Sequence, residues 1–455
     1  MITTRRDLPR IAAALVLATT SLFAAPNTAS AATKIQRLVS PGGIEAWFVQ
    51  DATVPLVAME YAFTGGSTQD TADKQGIGSF TANMLDEGAG DLDTKAFHER
   101  LERRAITMNF SVTRDYFRGS MRMLKDDSGE AFDLLRLALT SPRFDAEPLE
   151  RVRSQMISNA RRETTNPVAI AGHRFWEEAF GTHPYAWRPN GTVESLSAIK
   201  AADLKNFAQR VLAKDTLKVA VVGDIDADTL GKLLDKTFGA LPAKANLTPV
   251  PVTDAAKPPK HASVVLDVPQ SSINFGGPGI ARNDPDFMAA YIVNHILGGG
   301  SFSSRLYKEV REKRGLAYSV SQSLIWMNKS SVFAGTTATR ADKATETLDT
   351  ITSEIAQMGR DGPTQQELDE AKSYLKGSQM LALDTSSKIA SVLVQYQLDN
   401  LGIDYIEKRN AIIDAVTLDD TKRVAKRIWG QGILSVSVGR APQAAAEPAT
   451  PAKAN

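Results

Sequence analysis

The same order of strand-like and helix-like segments occurs twice along this 455-residue chain, and that duplication constrains the fold more than any other feature. In the first copy, apolar and polar residues alternate over Ile44 to Val49 and Leu56 to Phe63, as in half-buried strands, and Gly65-Gly66 ends the pattern. Helical periodicity follows at Ile77 to Leu85 and Thr94 to Arg103, then a hairpin from Met108 to Val112 and Tyr116 to Met123. Helices at Glu130 to Leu139, Pro148 to Arg162 and Ala169 to Phe180, a strand at Leu217 to Val222 and a helix at Ala227 to Phe238 complete it. The second copy runs through strands near Ser263 to Val268 and Ile273 to Phe275, the break Gly276-Gly277, and helices Asp286 to Ile296 and Ser304 to Lys313. A hairpin over Leu316 to Ala338 turning at Asn328-Lys329 comes next, then helices at Lys343 to Met358, Gln365 to Ala382, Ser387 to Leu398 and Thr421 to Trp429, and a last strand Ile433 to Val438. The pattern predicts an α+β protein of two duplicated domains, each a mainly antiparallel sheet with helices packed on one face.

Boundaries follow from composition. Residues 1–31 read as a signal peptide: Arg5, Arg6 and Arg10 precede the apolar run Ile11 to Ala25, and Ala29-Ser30-Ala31 offers a small-residue cleavage site. Thr4-Arg5-Arg6-Asp7-Leu8 resembles a twin-arginine signal, although basic residues open other export signals too. Five prolines in residues 241–262 mark an extended linker between an N-terminal domain, 32–240, and a C-terminal domain, 263–440. The Ala/Pro-rich residues 441–455 have little to bury and are expected to be disordered. The expected location is periplasmic or secreted, with no membrane association after signal cleavage. The absence of cysteine suits that compartment and rules out disulfides, thiolate zinc sites and cysteine nucleophiles. Lys plus Arg total 53 against 52 Asp plus Glu, so no net field favours nucleic acid as a partner.

Three segments, Lys74 to Leu85, Thr182 to Ser195 and Leu297 to Val320, carry residues that resemble the pitrilysin/insulinase family of zinc metallopeptidases. Lys74-Gln75-Gly76-Ile77-Gly78-Ser79-Phe80-Thr81-Ala82-Asn83-Met84-Leu85 is similar to the family's first helix, and Thr182-His183-Pro184-Tyr185 with Gly191-Thr192-Val193-Glu194-Ser195 to the loop closing its first half. The third segment joins Leu297-Gly298-Gly299-Gly300 and Ser303-Ser304-Arg305-Leu306 to Arg311-Glu312-Lys313-Arg314-Gly315-Leu316-Ala317-Tyr318-Ser319-Val320. The resemblance implies a half-shell built from the two domains and peptides as substrates.

Active members carry His-x-x-Glu-His on the first helix, because two imidazoles one turn apart can grip zinc while the Glu activates its water. Here those positions are Ser79, Ala82 and Asn83. The resemblance places a third ligand on the helix after Glu150-Arg151, yet Arg151 to Arg162 holds no carboxylate or His, and Glu163 is out of register. His98, His173, His183, His261 and His295 offer no one-turn pair, so no metal is expected in this chain. What the family match retains is an Arg and a Tyr that reach the substrate carbonyl, matched here by Arg311 and Tyr318. A helix-terminal Arg and a strand aromatic have commonplace structural uses; the match to the family motif singles these two out.

The resemblance therefore implies a heterodimeric zinc peptidase, in which a homologous exported chain with intact His-x-x-Glu-His carries zinc and the base, while this chain carries Arg311 and Tyr318. The alternative is a catalytically inactive structural or peptide-binding homologue. A stand-alone hydrolase built on Ser79 lacks the spaced His and acid that a serine nucleophile needs.

Overall fold

Two sheets with the same strand order organise the chain. The computed structural model describes residues 34–440, so the expected signal peptide and C-terminal tail lie outside the described residues. The first sheet runs β1-β2-β6-β3-β5-β4, with β1 Gln36–Val39, β2 Glu45–Gln50, β3 Leu56–Thr64, β4 Thr107–Val112, β5 Tyr116–Leu124 and β6 Lys218–Gly223. The second runs β7-β11-β8-β10-β9, with β7 Lys260–Val265, β8 Gln270–Pro278, β9 Ala317–Trp326, β10 Ser331–Arg340 and β11 Leu434–Gly439. Dropping β1, the two orders are identical strand for strand, and in each the first and last strands pair in parallel while the remaining neighbours are antiparallel. The mixed, mainly antiparallel α+β fold is thus as the duplicated pattern predicts.

Each sheet buries one face under helices of its own half. Phe48, Met59, Tyr61, Phe63, Phe117 and Met121 meet Phe80, Phe132, Phe207 and Leu234 in the first core. Phe275, Phe333, Val320 and Leu324 meet Ile292, Val310, Ile351 and Trp429 in the second. The expectation of helices on one face is extended by an exchange. Helix Ser386–Leu398, from the second half, lays Ala390, Leu393 and Val394 on Trp47, Val49, Ala62, Ala220 and Val222 of the first sheet. Helix Pro167–Phe180, from the first half, lays Ala171, Phe175 and Ala179 on Val332, Leu434, Val436 and Val438 of the second. Fully burying a Val, Leu or Phe side chain contributes about 1.5–3 kcal/mol of gross burial energy, so Leu393, Val394 and Phe175 carry most of what ties the halves together.

Asn166 caps helix Pro167–Phe180 through Val168 and Ala169, with Pro167 at its first turn. Gln397 anchors helix Ser386–Leu398 by donating to the Val219 carbonyl at 2.9 Å. The proline-rich stretch is extended and held in place: Thr248 N–H donates to Gln69, Thr253 N–H to the Lys329 carbonyl and Ala256 N–H to the Ala179 carbonyl. From Lys260 onward it is already β7.

Some boundaries differ from the sequence expectation. The first helix spans Ile77–Ala82 only, three residues short of the predicted end. Gly276-Gly277 lies inside β8 instead of ending it; the glycine at 276 marks a close approach, since a Cβ there would sit 2.2 Å from the Phe333 carbonyl oxygen and 2.8 Å from the Phe175 ring.

Candidate functional site

The helix that matches the zinc helix is buried and given over to packing. Asp70, itself buried, accepts hydrogen bonds from the Gly76 and Gly78 amides at 2.7 and 2.9 Å, satisfying the free donors of the helix start. Burial outweighs those two bonds and pushes the Asp70 carboxyl up to about 7. Ser79 donates to the Pro189 carbonyl at 2.8 Å, Asn83 donates back to the Ser79 carbonyl at 2.8 Å, and Ala82 is buried. The loop that contains Pro189 is locked on: Ser195 donates to the Gln75 carbonyl, the Arg188 amide donates to the Gln75 side chain, and Gly191 abuts Gly76 closely enough to exclude a Cβ there. Glu163 is occupied by His173 at 2.9 Å. In helix Ala146–Glu163, Arg151 pairs with Glu87, and Arg153 bonds the Leu196 carbonyl and lies 5.3 Å from the centre of the Phe80 ring. Among the described residues no three His, Asp or Glu side chains are placed to hold a metal ion. Ser79, Ala82 and Asn83 do not fit zinc, since none of them carries an imidazole or a carboxylate.

Arg311 and Tyr318 are brought together, 4.4 Å from guanidinium carbon to ring centre. The helix starting at Arg305 loosens into a π-helical turn over Lys308–Lys313, a form frequent at functional sites. Gly315, at φ +61°, then ends it and donates its amide to the Arg311 carbonyl. β9 begins at Ala317, and its register with β10 slips: Val320 faces Thr337 but Ala317 faces Thr339. One extra residue is therefore accommodated on β9 at Tyr318-Ser319, a bulge that redirects the side chain there. Thr337 and Thr339 pin it by donating to the Ser319 and Leu316 carbonyls, both at 2.6 Å. Tyr318 is left 80% exposed, and its hydroxyl has no protein partner among the described residues.

Tyr307, one helical turn before Arg311, completes the arrangement and went unnoticed in the sequence. Its hydroxyl accepts from Arg311, and its ring lies 5.0 Å from the same guanidinium, which is thus flanked by two phenol rings. Exposed Phe302 meets Tyr307 edge-on at 5.1 Å. The signal was available, since positions four apart share a helical face. The neighbouring charges separate on inspection. Arg305 is bidentate to Glu367, and Lys313 and Arg314 both bind Glu309, whereas Lys308 and Arg311 have no acidic partner among the described residues. Arg311 thus keeps N–H donors free beside a free phenol hydroxyl, a pair able to hold a carbonyl oxygen as it gains charge.

The motif around Tyr185 turns out to join the halves. Tyr185 donates to Asp115 at the β4–β5 turn and accepts from the Lys329 amide at the β9–β10 turn, while Asp115 also accepts from the Asn328 amide. Burial raises the pKa of the Asp115 carboxyl above its ordinary value. Arg114 stacks on Trp176 at 3.5 Å and donates to the Tyr185 carbonyl. His183 serves the same corner, accepting from the Tyr185 amide and contacting the Pro251 carbonyl.

Comparison with known proteins bears on the same segments. Residues 48–186 match the family description Insulinase (Peptidase family M16), and residues 198–375 match Peptidase M16 inactive domain. The chain belongs to the insulinase family, peptidase family M16. Among similar family members is the non-peptidase homolog YmxG of Helicobacter pylori, 29% identical over 77% of this chain and 81% of that protein. The uncharacterized zinc protease YmxG of Bacillus subtilis is 26% identical over 78% of this chain and 86% of its own length. The crystal structure of a peptidase M16 inactive domain from Pseudomonas fluorescens superposes with a TM-score of 0.84 at 29% identity, over 91% of this chain and 99% of that one. This M16 chain thus joins a segment matching the insulinase model to one matching the M16 inactive-domain model, and shares the fold of the inactive-domain structure. No helix among its described residues is long and apolar enough to cross a membrane.

Proposed function

We propose that this chain is the zinc-free subunit of an exported, two-chain zinc metallopeptidase that hydrolyses peptides. A homologous companion with intact His-x-x-Glu-His supplies the metal and its base; this chain supplies Arg311 and Tyr318. The observation that carries the reading is the guanidinium flanked by Tyr307 and Tyr318, free of acidic partners, beside an exposed phenol hydroxyl placed by a strand bulge. A purely structural arginine at this helix end would be expected to find a carboxylate, as Arg305 and Arg314 do. In the complex, Arg311 and Tyr318 donate to the scissile carbonyl oxygen and stabilise the charge that builds as water adds. Tyr307 acts through Arg311 as a positioning residue, restricting the guanidinium before substrate arrives.

A second reading is a catalytically silent structural or peptide-binding protein. It is favoured by the burial of Ser79 and Ala82, with Ser79 bonded to the Pro189 carbonyl, and by the name non-peptidase homolog carried by a relative of 29% identity. Affinity isolation of the tagged full-length chain from its native host decides between them. The peptidase reading expects a family member with intact His-x-x-Glu-His at equal stoichiometry, with one zinc per pair. Isolation of the chain alone, or with zinc-free partners only, supports the silent reading.

A further inference from the structure

The two halves meet at a cavity that the proposed chemistry does not use. It has a volume of about 310 Å³ and lies between the β4–β5 turn and the end of β9. Its lining includes the apolar side chains of Ile325 and Met327, which share one face of β9, and Arg118 of β5. Arg118 bonds only Gln395, at 3.3 Å, and has no carboxylate within ion-pair distance among the described residues. The other arginine of the cavity, Arg114, is already committed to Trp176 and the Tyr185 carbonyl. The carboxylates nearby are each accounted for. Asp115 is held by Tyr185 and Asn328, and Asp399 by Trp326, Gln395 and Arg282. Glu60 of β3 feels the charge of Arg118 without touching it, and burial pushes its carboxyl up to about 7.

The main chain supplies a second feature. Met327 donates to the Ser330 carbonyl, which makes that the hydrogen-bonded pair closing the β9–β10 hairpin. Alternation then puts Ile325 opposite Val332 in the next such pair, and turns the N–H and C=O groups of Leu324 and Trp326 outward from the sheet edge. Those outward groups have no protein partner among the described residues. β9 is the edge strand, and farther along it the Gln322 carbonyl is already met by Asn294, so the open stretch is short and borders the cavity.

A short open strand edge, an apolar wall and one uncommitted guanidinium match one kind of ligand end. We propose that this seam binds the C-terminal residue of a peptide: its main chain pairs with Leu324 and Trp326, its apolar side chain lies on Ile325 and Met327, and its free carboxylate binds Arg118. The inference shares with the proposed function only the premise that peptides are ligands, and holds whether or not the chain takes part in catalysis.

The test uses the full chain without any companion, so a failed hydrolysis assay does not bear on it. A fluorescein-labelled alanine hexapeptide ending in leucine, as free acid and as amide, is titrated by polarisation against wild type, Arg118→Met and Arg118→Lys. The free acid is expected to bind about tenfold tighter than the amide, the scale of one charge-assisted hydrogen bond. Arg118→Met should bring the two within about twofold, chiefly by weakening the free acid, and Arg118→Lys should keep part of the difference. Equal binding of acid and amide to wild type, persistence of the difference in a folded Arg118→Met protein, or no binding of either at about 1 mM overturns the proposal.

Discussion

Glu60→Gln is expected to stabilise the protein at alkaline pH and leave it unchanged in acid. Glu60 sits mid-strand in β3, opposite Ser120 and Ala220, on the face that receives helix Ser386–Leu398, and its carboxyl accepts no hydrogen bond among the described residues. Burial raises it from 4.5 to about 7, with Arg118 pulling the other way. The folded state therefore holds a proton that the unfolded chain has lost, so stability falls as pH rises from about 4.5 to about 7 and is level above that. At about 1.4 kcal/mol per pKa unit the full shift is worth about 3 kcal/mol, and partial solvent access trims this to about 2 kcal/mol. Gln keeps the shape without the charge. For a chain of this size the gain at pH 8.5 corresponds to a rise in Tm of about 2–3 °C, with none at pH 4.5. Differential scanning calorimetry of both proteins across that range measures it. A difference in Tm that does not vary with pH, or a Glu60→Gln protein less stable than wild type at pH 8.5, would refute the reasoning.

Two further outcomes follow from the geometry. Tyr185→Phe removes the donor to Asp115 and the acceptor for the Lys329 amide at the junction of the two hairpin turns, and should cost about 1–3 kcal/mol in urea denaturation; an unchanged midpoint would mean that the junction is slack. Restoring the ligand motif as Ser79→His, Ala82→Glu and Asn83→His should not produce a zinc protein, because Glu163 is held by His173 and the Pro189 carbonyl occupies the contact of residue 79. Atomic emission after dialysis against zinc should find well under one metal per chain, and a stoichiometric ion would contradict this account.

The sheets were legible because alternation and turn residues are local signals. Both hairpins, the turn at Asn328-Lys329 and the closing strands fall where the pattern put them. The exchange of helices was not legible. The apolar stripe Ala171, Phe175 and Ala179 says that a face is buried, and says nothing about which of two similar sheets covers it. Helices Val193–Ala198, Ala201–Val211 and Tyr405–Ala415, and the edge strand Gln36–Val39, were passed over. The strand is short and mostly exposed, so it lacks a buried face to betray it. At the candidate site, the spacing of Arg311 and Tyr318 was visible along the chain, but the bulge that turns Tyr318 outward exists only in the pairing of β9 with β10. The seam cavity joins residues more than two hundred positions apart and has no sequence signature at all.

The central claim is that Arg311 and Tyr318 complete an active site whose metal lies on another chain. It is tested most directly by the kcat/KM of the zinc-bearing companion on an internally quenched peptide, with wild-type chain, with Arg311→Ala plus Tyr318→Phe, and alone. Co-elution with the companion checks assembly of both complexes. Loss of one such donor typically costs about 10²–10³ in rate, so the assembled double variant should fall by at least about 10³, to the level of the companion alone. Full activity of the assembled double variant, or of the companion without this chain, would contradict the account and leave the silent, peptide-binding role in its place.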